Sequence, residues 1–364
     1  MFDIQFEKFN YSHDLAEQRK LFMECFPETI GTPVTTSKHY EWKFKSFPNC
    51  IKEKSYEYVV KLDNEIIGYY GAIPYEYYIK GEKKTVAMVC DVMTGVKARG
   101  KGVFTKLGKY SIEQFRKEGI SFSTGYPIRP EVIPGHRKVG WTFPFQVPMY
   151  GKFLKLNSFL HARRKSFLIP FANIVLKAYN GFFNLTIKSH YHIDIEKYSS
   201  LQLDEIIGLN EFIKEWNQET PISLNKSINF LKWRLGAPGK KYEIIILRDN
   251  RNKKIVGYSI AREIQKEGVP CLGILDFCLL KNTTKFSNLL LQEIESTAKA
   301  FSCELILMMM LKHKANDYKI TRYGFLKTPF PFSFILKQYD DSLSTSFLND
   351  EKNWALMWID SDDL

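Results

Sequence analysis

The segment Val96-Lys-Ala-Arg-Gly-Lys-Gly-Val-Phe-Thr-Lys-Leu107 joins a strand-like run to a helix-like one and carries residue types suited to holding an anion. Gly100 and Gly102 let the backbone approach a ligand that a Cβ would keep away. A helix opening after Gly102 directs unpaired N–H groups, and the positive end of its dipole, into the same space. Lys97, Arg99 and Lys101 add charge there. The combination predicts a phosphate site, suited to a pyrophosphate. Its spacing is neither the dinucleotide G-x-G-x-x-G nor the nucleotide-triphosphatase G-x-x-x-x-G-K-S/T.

Other candidate groups are sparser. Asp91 is an acid within the otherwise apolar run Met88-Val-Cys-Asp-Val-Met93. His190-Tyr-His192 places two imidazoles on one face of a strand, but neither carboxylate nor Cys accompanies them, so no metal is expected. Cys25, Cys50, Cys90, Cys271, Cys278 and Cys303 lack C-x-x-C spacing, and four of them sit in or beside apolar runs. That excludes a zinc or disulfide framework and fits a reducing compartment.

The elements that must position these residues belong to a chain of 364 residues, long enough for two domains. With 45% hydrophobic and 25% charged residues, disorder is excluded. The net charge of +12 suits nucleic acid, an anionic membrane face or a phosphate-rich small molecule equally. Neither a helix-turn-helix, a zinc knuckle nor an aromatic-interleaved basic signature is present, so nucleic acid is not the expected partner. The N-terminal MFDIQFEKFNYSHD carries acids and no apolar h-region, unlike a signal peptide. The most apolar stretch, Phe167 to Leu176, contains Pro170 and is too short to span a bilayer. A soluble, cytoplasmic protein is expected.

Two similar passes of elements follow each other. In the first, a short helix capped near Thr36 or Ser37 precedes strands at Tyr56 to Leu62 and Ile66 to Ile79, joined by an Asp63-Asn64 turn. A Lys80-Gly81 turn leads to a strand from Thr85 to Val96. A helix to about Lys117, a strand from Ser121 to Tyr126 and a strand ending near Leu154 complete the pass. The second pass has a helix around Phe230 to Arg234 and strands at Tyr242 to Leu247, Ile255 to Ile264 and Gly273 to Leu280. A helix from Thr284 to Phe301 and strands at Glu304 to Met310 and Phe332 to Lys337 end it. Trp42 and Trp233 are 191 residues apart, Gly68 and Gly257 189, Asp91 and Asp276 185, and Gly140 and Gly324 184. One long repeat argues for duplicated α+β domains rather than a solenoid.

Arg99-Gly-Lys-Gly102, after a strand and before a helix, resembles the acyl-CoA pyrophosphate loop of GNAT N-acyltransferases. Arg99 and Gly102 match that family's pattern, and Phe104 stands where a small residue is usual. Thr124-Gly-Tyr-Pro127 and Pro134-Gly-His-Arg-Lys-Val-Gly-Trp141 resemble a bacterial branch of it. The resemblance covers roughly residues 51 to 154. It implies an α+β fold of two GNAT-like domains, each a mixed, mostly antiparallel twisted sheet flanked by helices. The expected divisions are 1–154 for an acyl-CoA-binding catalytic domain and 155–200 for a basic helical connector. A degenerate copy at 201–339 and an acidic tail at 340–364 follow. The copy has Lys281-Asn-Thr-Thr-Lys285 in place of the loop, without glycine, so its loss of CoA binding is expected.

The resemblance further implies acyl transfer, acetyl above all, from acyl-CoA to a small primary amine such as an amino sugar or surface-polysaccharide precursor. Met93, Thr94, Gly95 and Val96 would hold the acyl carbonyl and pantetheine. Lys97, Arg99, Gly100, Lys101, Gly102, Val103 and Phe104 would hold the phosphates. Asp91 or Glu131 is the expected base, and His136 or Tyr126 the expected proton donor to the leaving sulfur. The alternative is a non-catalytic binding or scaffold protein on the same fold. Val132 to Ile193 holds nine Lys and Arg and no acid, a solvated basic face or a docking surface for an acidic partner or anionic membrane. The stretch from Asp340 holds six Asp and one Glu and is expected to fold back on a basic surface.

Overall fold

In the computed structural model, residues 4–48, 56–184 and 192–363 are described. The first half of the chain runs β1 (Ile4–Lys8), α1 (Tyr11–Cys25), α2 (Ser37–Lys45), β2 (Glu57–Leu62), β3 (Glu65–Ile79) and β4 (Glu82–Thr94). It continues α3 (Val103–Lys117), β5 (Phe122–Gly125), α4 (Ile133–Val139), β6 (Thr142–Val147), β7 (Met149–Phe153), α5 (Asn157–Ala162) and α6 (Ile169–Asn184). Then come β8 (Ile193–Ser199), α7 (Leu209–Gln218), β9 (Ile222–Leu224), α8 (Ile228–Leu235), β10 (Glu243–Asp249), β11 (Ile255–Lys266) and β12 (Val269–Leu279). The chain ends with α9 (Ser287–Ala300), β13 (Leu305–Met309), β14 (Leu326–Lys327), β15 (Phe332–Gln338) and a largely 3-10 C-terminal segment.

Local chemistry accounts for most of these boundaries. The Thr36 side chain accepts from His39 N and starts α2. Asp63 and Asn64 both take positive φ, 51° and 66°, which gives the β2–β3 hairpin the twist of its strands. Gly68 on β3 has no room for a Cβ, which would sit 2.7 Å from Val60 Cγ1 and 3.3 Å from Val103 and Leu107. Its absence lets α3 lie close on the sheet. There Val103, Leu107 and Phe115 join Tyr58, Val60, Tyr70, Ala87 and Trp141 in one apolar core.

The structure divides into two units, each an α+β arrangement built on a mixed sheet. The first unit comprises Met1–Gln146, Gly236–Gly239 and Ser333–Glu351. Its sheet has the order β1-β2-β3-β4-β5-β15-β6, with β4 and β5 parallel. The second comprises Val147–Leu235, Lys240–Phe332 and Lys352–Leu364, with sheet order β14-β7-β13-β12-β11-β10-β8. Here β12 and β13 are the parallel pair.

These units depart from the segmentation expected at 154, 200 and 339. The apolar run expected as one strand to Leu154 is broken at Pro148, with β6 in the first sheet and β7 in the second. Pro148 has no N–H to donate to a continuing ladder. In return β15 enters the first sheet between β5 and β6, pairing Ile335 with Gly125 and Lys337 with Ser123. Thr142 Oγ1 donates to Leu336 O at 2.9 Å beside it. The C-terminal stretch expected as one acidic segment divides between the units, residues 340–351 in the first and 352–364 in the second. Trp354 and Trp358 are fully buried in the second unit, and Ala355 N donates to Ile222 O at 3.1 Å.

The expected repeat is visible in the register. The parallel ladder of the first unit ends at Val89 and Gly125, and that of the second at Ile274 and Met308. Both β4 and β12 run on beyond it, through a register shift against β3 and β11 respectively. Asp91 and Asp276 stand two residues past the last parallel pair in each.

Candidate functional site: a glycine loop at the end of a splayed strand

The ladder between β4 and β5 ends at Val89 and Gly125, where β5 stops, while β4 continues to Thr94. The β5-facing edge of its last residues is left without a ladder partner in β5, so an extended ligand can pair there. Asp91 lies at the irregularity with φ 50°, where an extra residue of β4 faces β3. Met93 is buried, Thr94 half-buried, and Gly95 N donates to Ile67 O at 2.9 Å, tying the strand end to β3.

The chain then turns through Val96–Ala98 into the glycines. Gly100 and Gly102 both have φ 74°, and a Cβ at either would meet nothing within 4 Å. The space in front of the loop is therefore open to a ligand. Gly102 is the N-cap residue of α3 and supplies no side-chain cap, and the first helical bond is Lys106 N to Gly102 O at 3.0 Å. The N–H groups of the first turn, from Val103 onward, face outward unspent by the helix. Lys97, Arg99 and Lys101 are exposed around it. Arg99 Nε donates to Thr94 O at 3.3 Å, and Lys97 lies 3.4 Å from Glu65 in an exposed pair that contributes little to stability. An exposed, positively charged rim surrounds the backbone cradle.

Residues 12–153, covering α1 to β7, match the family model for the acetyltransferase (GNAT) domain. This part of the chain is a GNAT acetyltransferase domain. The loop of Arg99 to Gly102 lies within the matched region, and such domains take acetyl-CoA as acyl donor. No curated protein matches the chain. Among solved structures, the chain is similar to a probable N-acyltransferase from Enterococcus faecalis, with a TM-score of 0.66 at 15% identity, over 93% of this chain and 73% of that one. A GCN5-related N-acetyltransferase from Anabaena variabilis gives 0.63 at 14%, over 92% and 73%. One from Kribbella flavida gives 0.60 at 10%, over 93% and 72%. At these identities the likeness concerns the fold, and it extends well past the matched GNAT domain.

Glu24 and Lys43 of the GNAT domain were not legible as site residues. Glu24, near the end of α1, accepts Val96 N at 2.6 Å and anchors the start of the loop. The second unit repeats the contact, with Glu219 accepting Lys281 N at 2.8 Å. Extending the sequence repeat to a spacing of 195 residues would have found it. Lys43 of α2 donates to Asp91 Oδ1 at 2.8 Å, and both side chains are largely buried. Beside this pair, Glu57 accepts from Tyr40, from Tyr69 at 2.6 Å and from Lys45 at 2.8 Å.

Phe104 explains its own departure from the family pattern. Its ring packs on the core between α3 and α4, and a Cβ on Gly135 would stand 2.7 Å from it. His136 is buried against the same ring, edge-on with centroids 5.2 Å apart, and against Trp141 at 5.9 Å. Burial pushes the imidazole down to about 4, so it is neutral at pH 7. A neutral imidazole is a poor acid for a thiolate, which weighs against the donor role expected from its position. Tyr126, just past β5, packs on Phe334 at 5.6 Å, and Glu131 is exposed on the turn before α4. The loop residues from Met93 to Phe104 are thus contiguous, whereas Glu131 sits apart on an exposed turn. His190 lies outside the described residues, and His192 packs edge-on against Phe286 at 5.7 Å.

The buried imidazole has a stability consequence. The unfolded chain protonates His136 near pH 6.5 and the folded one only near 4, so stability falls as pH drops between those values, by about 3 kcal/mol at most. His136→Phe should flatten that part of the stability–pH curve. Melting curves for both proteins at pH 7 and pH 4.5 measure it. An unchanged pH slope in the variant would show that the imidazole is hydrated.

In the second unit the loop is replaced by a 3-10 turn, Lys281–Phe286. Thr283 Oγ1 donates to Val256 O at 2.6 Å, and no residue from 280 to 287 takes a positive φ. That backbone offers no concave row of N–H groups like the one at Gly100 to Gly102.

Proposed function

We propose that the chain is an acyl-CoA-dependent N-acyltransferase that moves an acetyl group to a small primary amine. The observation that carries this is the open Arg99–Gly102 cradle at the end of a splayed β4, inside the matched GNAT domain. The pyrophosphate would lie on the N–H groups at Gly100, Gly102 and Val103, with Lys97, Arg99 and Lys101 balancing its charge. The pantetheine would run along β4 from Met93 to Val96. Because the N–H groups of Gly95 and Val96 are already given to Ile67 and Glu24, an N–H on the free edge of β4 before Gly95 would stabilise the developing oxyanion. The amine nitrogen attacks the thioester carbonyl, the C–S bond breaks and an amide forms. The amine loses a proton and the departing sulfur gains one.

Asp91 is the proposed acceptor of the amine proton. It is the carboxylate on the splayed part of β4, and Lys43 fixes one of its oxygens. The matching Asp276 is locked in a buried ion pair, an observation that favours the second reading, a purely structural Asp91. Asp91→Asn separates the two. As base, its loss should lower kcat by about a hundredfold or more and leave the acetyl-CoA affinity alone. A merely structural Asp91 would instead lower the melting temperature with kcat nearly intact.

The function itself is tested by calorimetric titration with acetyl-CoA, then by a mass-shift screen of amine libraries that include amino sugars. Binding followed by a gain of one acetyl group on an amine is expected. Silence at millimolar acetyl-CoA would refute the proposal. Binding without transfer to any amine would instead favour a non-catalytic scaffold.

A further inference from the structure

The strongest unassigned surface is α6 with the turn before it. At 100° per residue, Phe171, Ile174, Val175, Ala178 and Phe182 fall within about 100° of arc on one face of this helix. That face is in solvent, with Phe171 at 70%, Ile174 at 68% and Phe182 at 67% exposure. The opposite face is the one that docks. Asn180 Nδ2 donates to Phe153 O at 2.9 Å, Asn173 Oδ1 accepts from Leu156 N at 3.0 Å, and Tyr179 and Phe183 lie over Gly324. The helix thus shows its apolar stripe outward, the reverse of an ordinary surface helix.

The charge beside the stripe is one-sided. Arg163, Arg164 and Lys165 are exposed just before α6, Lys177 is exposed on it, and no Asp or Glu occurs from 155 to 184. Among the described residues no carboxylate pairs with any of the four. Phe167, beside the basic cluster, is 79% exposed. No helix of the described residues is long and apolar enough to cross a membrane.

We propose that α6 docks flat on an anionic bilayer. Phe167, Phe171, Ile174, Val175 and Phe182 enter the boundary between headgroups and acyl chains, while Arg163, Arg164 and Lys165 meet lipid phosphates. A second copy of the chain is the less suitable occupant, because it would bring like charges to the same edge. The proposal is independent of the acyltransfer reading.

The test is flotation of the full chain with phosphatidylcholine vesicles, with and without about one-third phosphatidylglycerol. Wild type should float with the anionic vesicles only, and less so in high salt. Arg163→Glu/Arg164→Glu/Lys165→Glu should weaken the partition by about a hundredfold or more. Phe171→Ser/Phe182→Ser should also abolish it. Both variants change exposed residues, so their melting temperatures should match wild type. Wild type remaining below the anionic vesicles, or floating equally with neutral ones, overturns the proposal. So does binding that neither variant weakens. A dimer in light scattering that the Phe variant dissolves, with no lipid binding, would assign the stripe to a second copy instead.

Discussion

Replacing Lys226 with methionine is expected to destabilise the second unit by about 3–5 kcal/mol. Lys226 and Asp276 are both fully buried, with Nζ 2.6 Å from Oδ1. The same oxygen accepts Phe277 N at 3.1 Å, and Oδ2 accepts the Tyr258 hydroxyl at 2.5 Å. The ammonium also lies 4.4 Å from the centroid of Trp216. Burial alone would pull its pKa down, but Asp276, with Asp360, more than reverses that and the lysine stays charged. Methionine fills a similar volume, so the loss comes from the carboxylate left without its countercharge rather than from a cavity. At this chain length the melting temperature should fall on the order of 10 °C.

A second substitution distinguishes this account from simple loss of packing. In Lys226→Met/Asp276→Asn the uncompensated charge is gone, while an amide oxygen can still accept from Tyr258. The double variant should therefore regain part of what the single one lost, as measured by urea denaturation. A loss below about 1 kcal/mol in Lys226→Met would mean that water reaches the pair. Lys226 lies outside the helix expected at Phe230 to Arg234, and nothing local marked it as the partner of Asp276.

Features that depend on neighbours in sequence were legible for a physical reason. Thr36 caps α2, Asp63-Asn64 turns the β2–β3 hairpin, and Arg99-Gly-Lys-Gly102 opens α3, because each acts over a few residues of its own backbone. The distance of 185 residues between Asp91 and Asp276 was informative because both follow the last rung of a parallel ladder. What escaped was long-range. Alternation identifies Phe332 to Lys337 as a strand, but it cannot tell which sheet supplies the partner, and β15 lies beside β5. Pro148 was the one local sign that Thr142 to Leu154 is two strands. The acids near Trp354 and Trp358 dominated the composition of the C-terminus and masked two fully buried rings. Roles were harder still, since the neutrality of His136 depends on Phe104 and Trp141 closing around it.

Gly102→Ala is expected to weaken acetyl-CoA binding by ten- to a hundredfold or more, at little cost to the fold. Gly102 has φ 74° and open space where a Cβ would go, so alanine adds no clash. The backbone strain of a left-handed alanine is about 1–2 kcal/mol. The added methyl would occupy the space proposed for the pyrophosphate and hold it off the N–H groups. A hydrogen bond to a charged acceptor contributes about 1.5–3 kcal/mol, and every 1.4 kcal/mol is tenfold in Kd. Strain alone could mimic part of this, so a matched control is needed. Gly81 has φ 85°, equally open space, and a position at the far end of β4, about 40 Å from Thr94 along the strand. Gly81→Ala should lower the melting temperature as much as Gly102→Ala while leaving Kd within about twofold. Equal affinities for the two variants would remove the loop from the cofactor site, whatever the family resemblance implies.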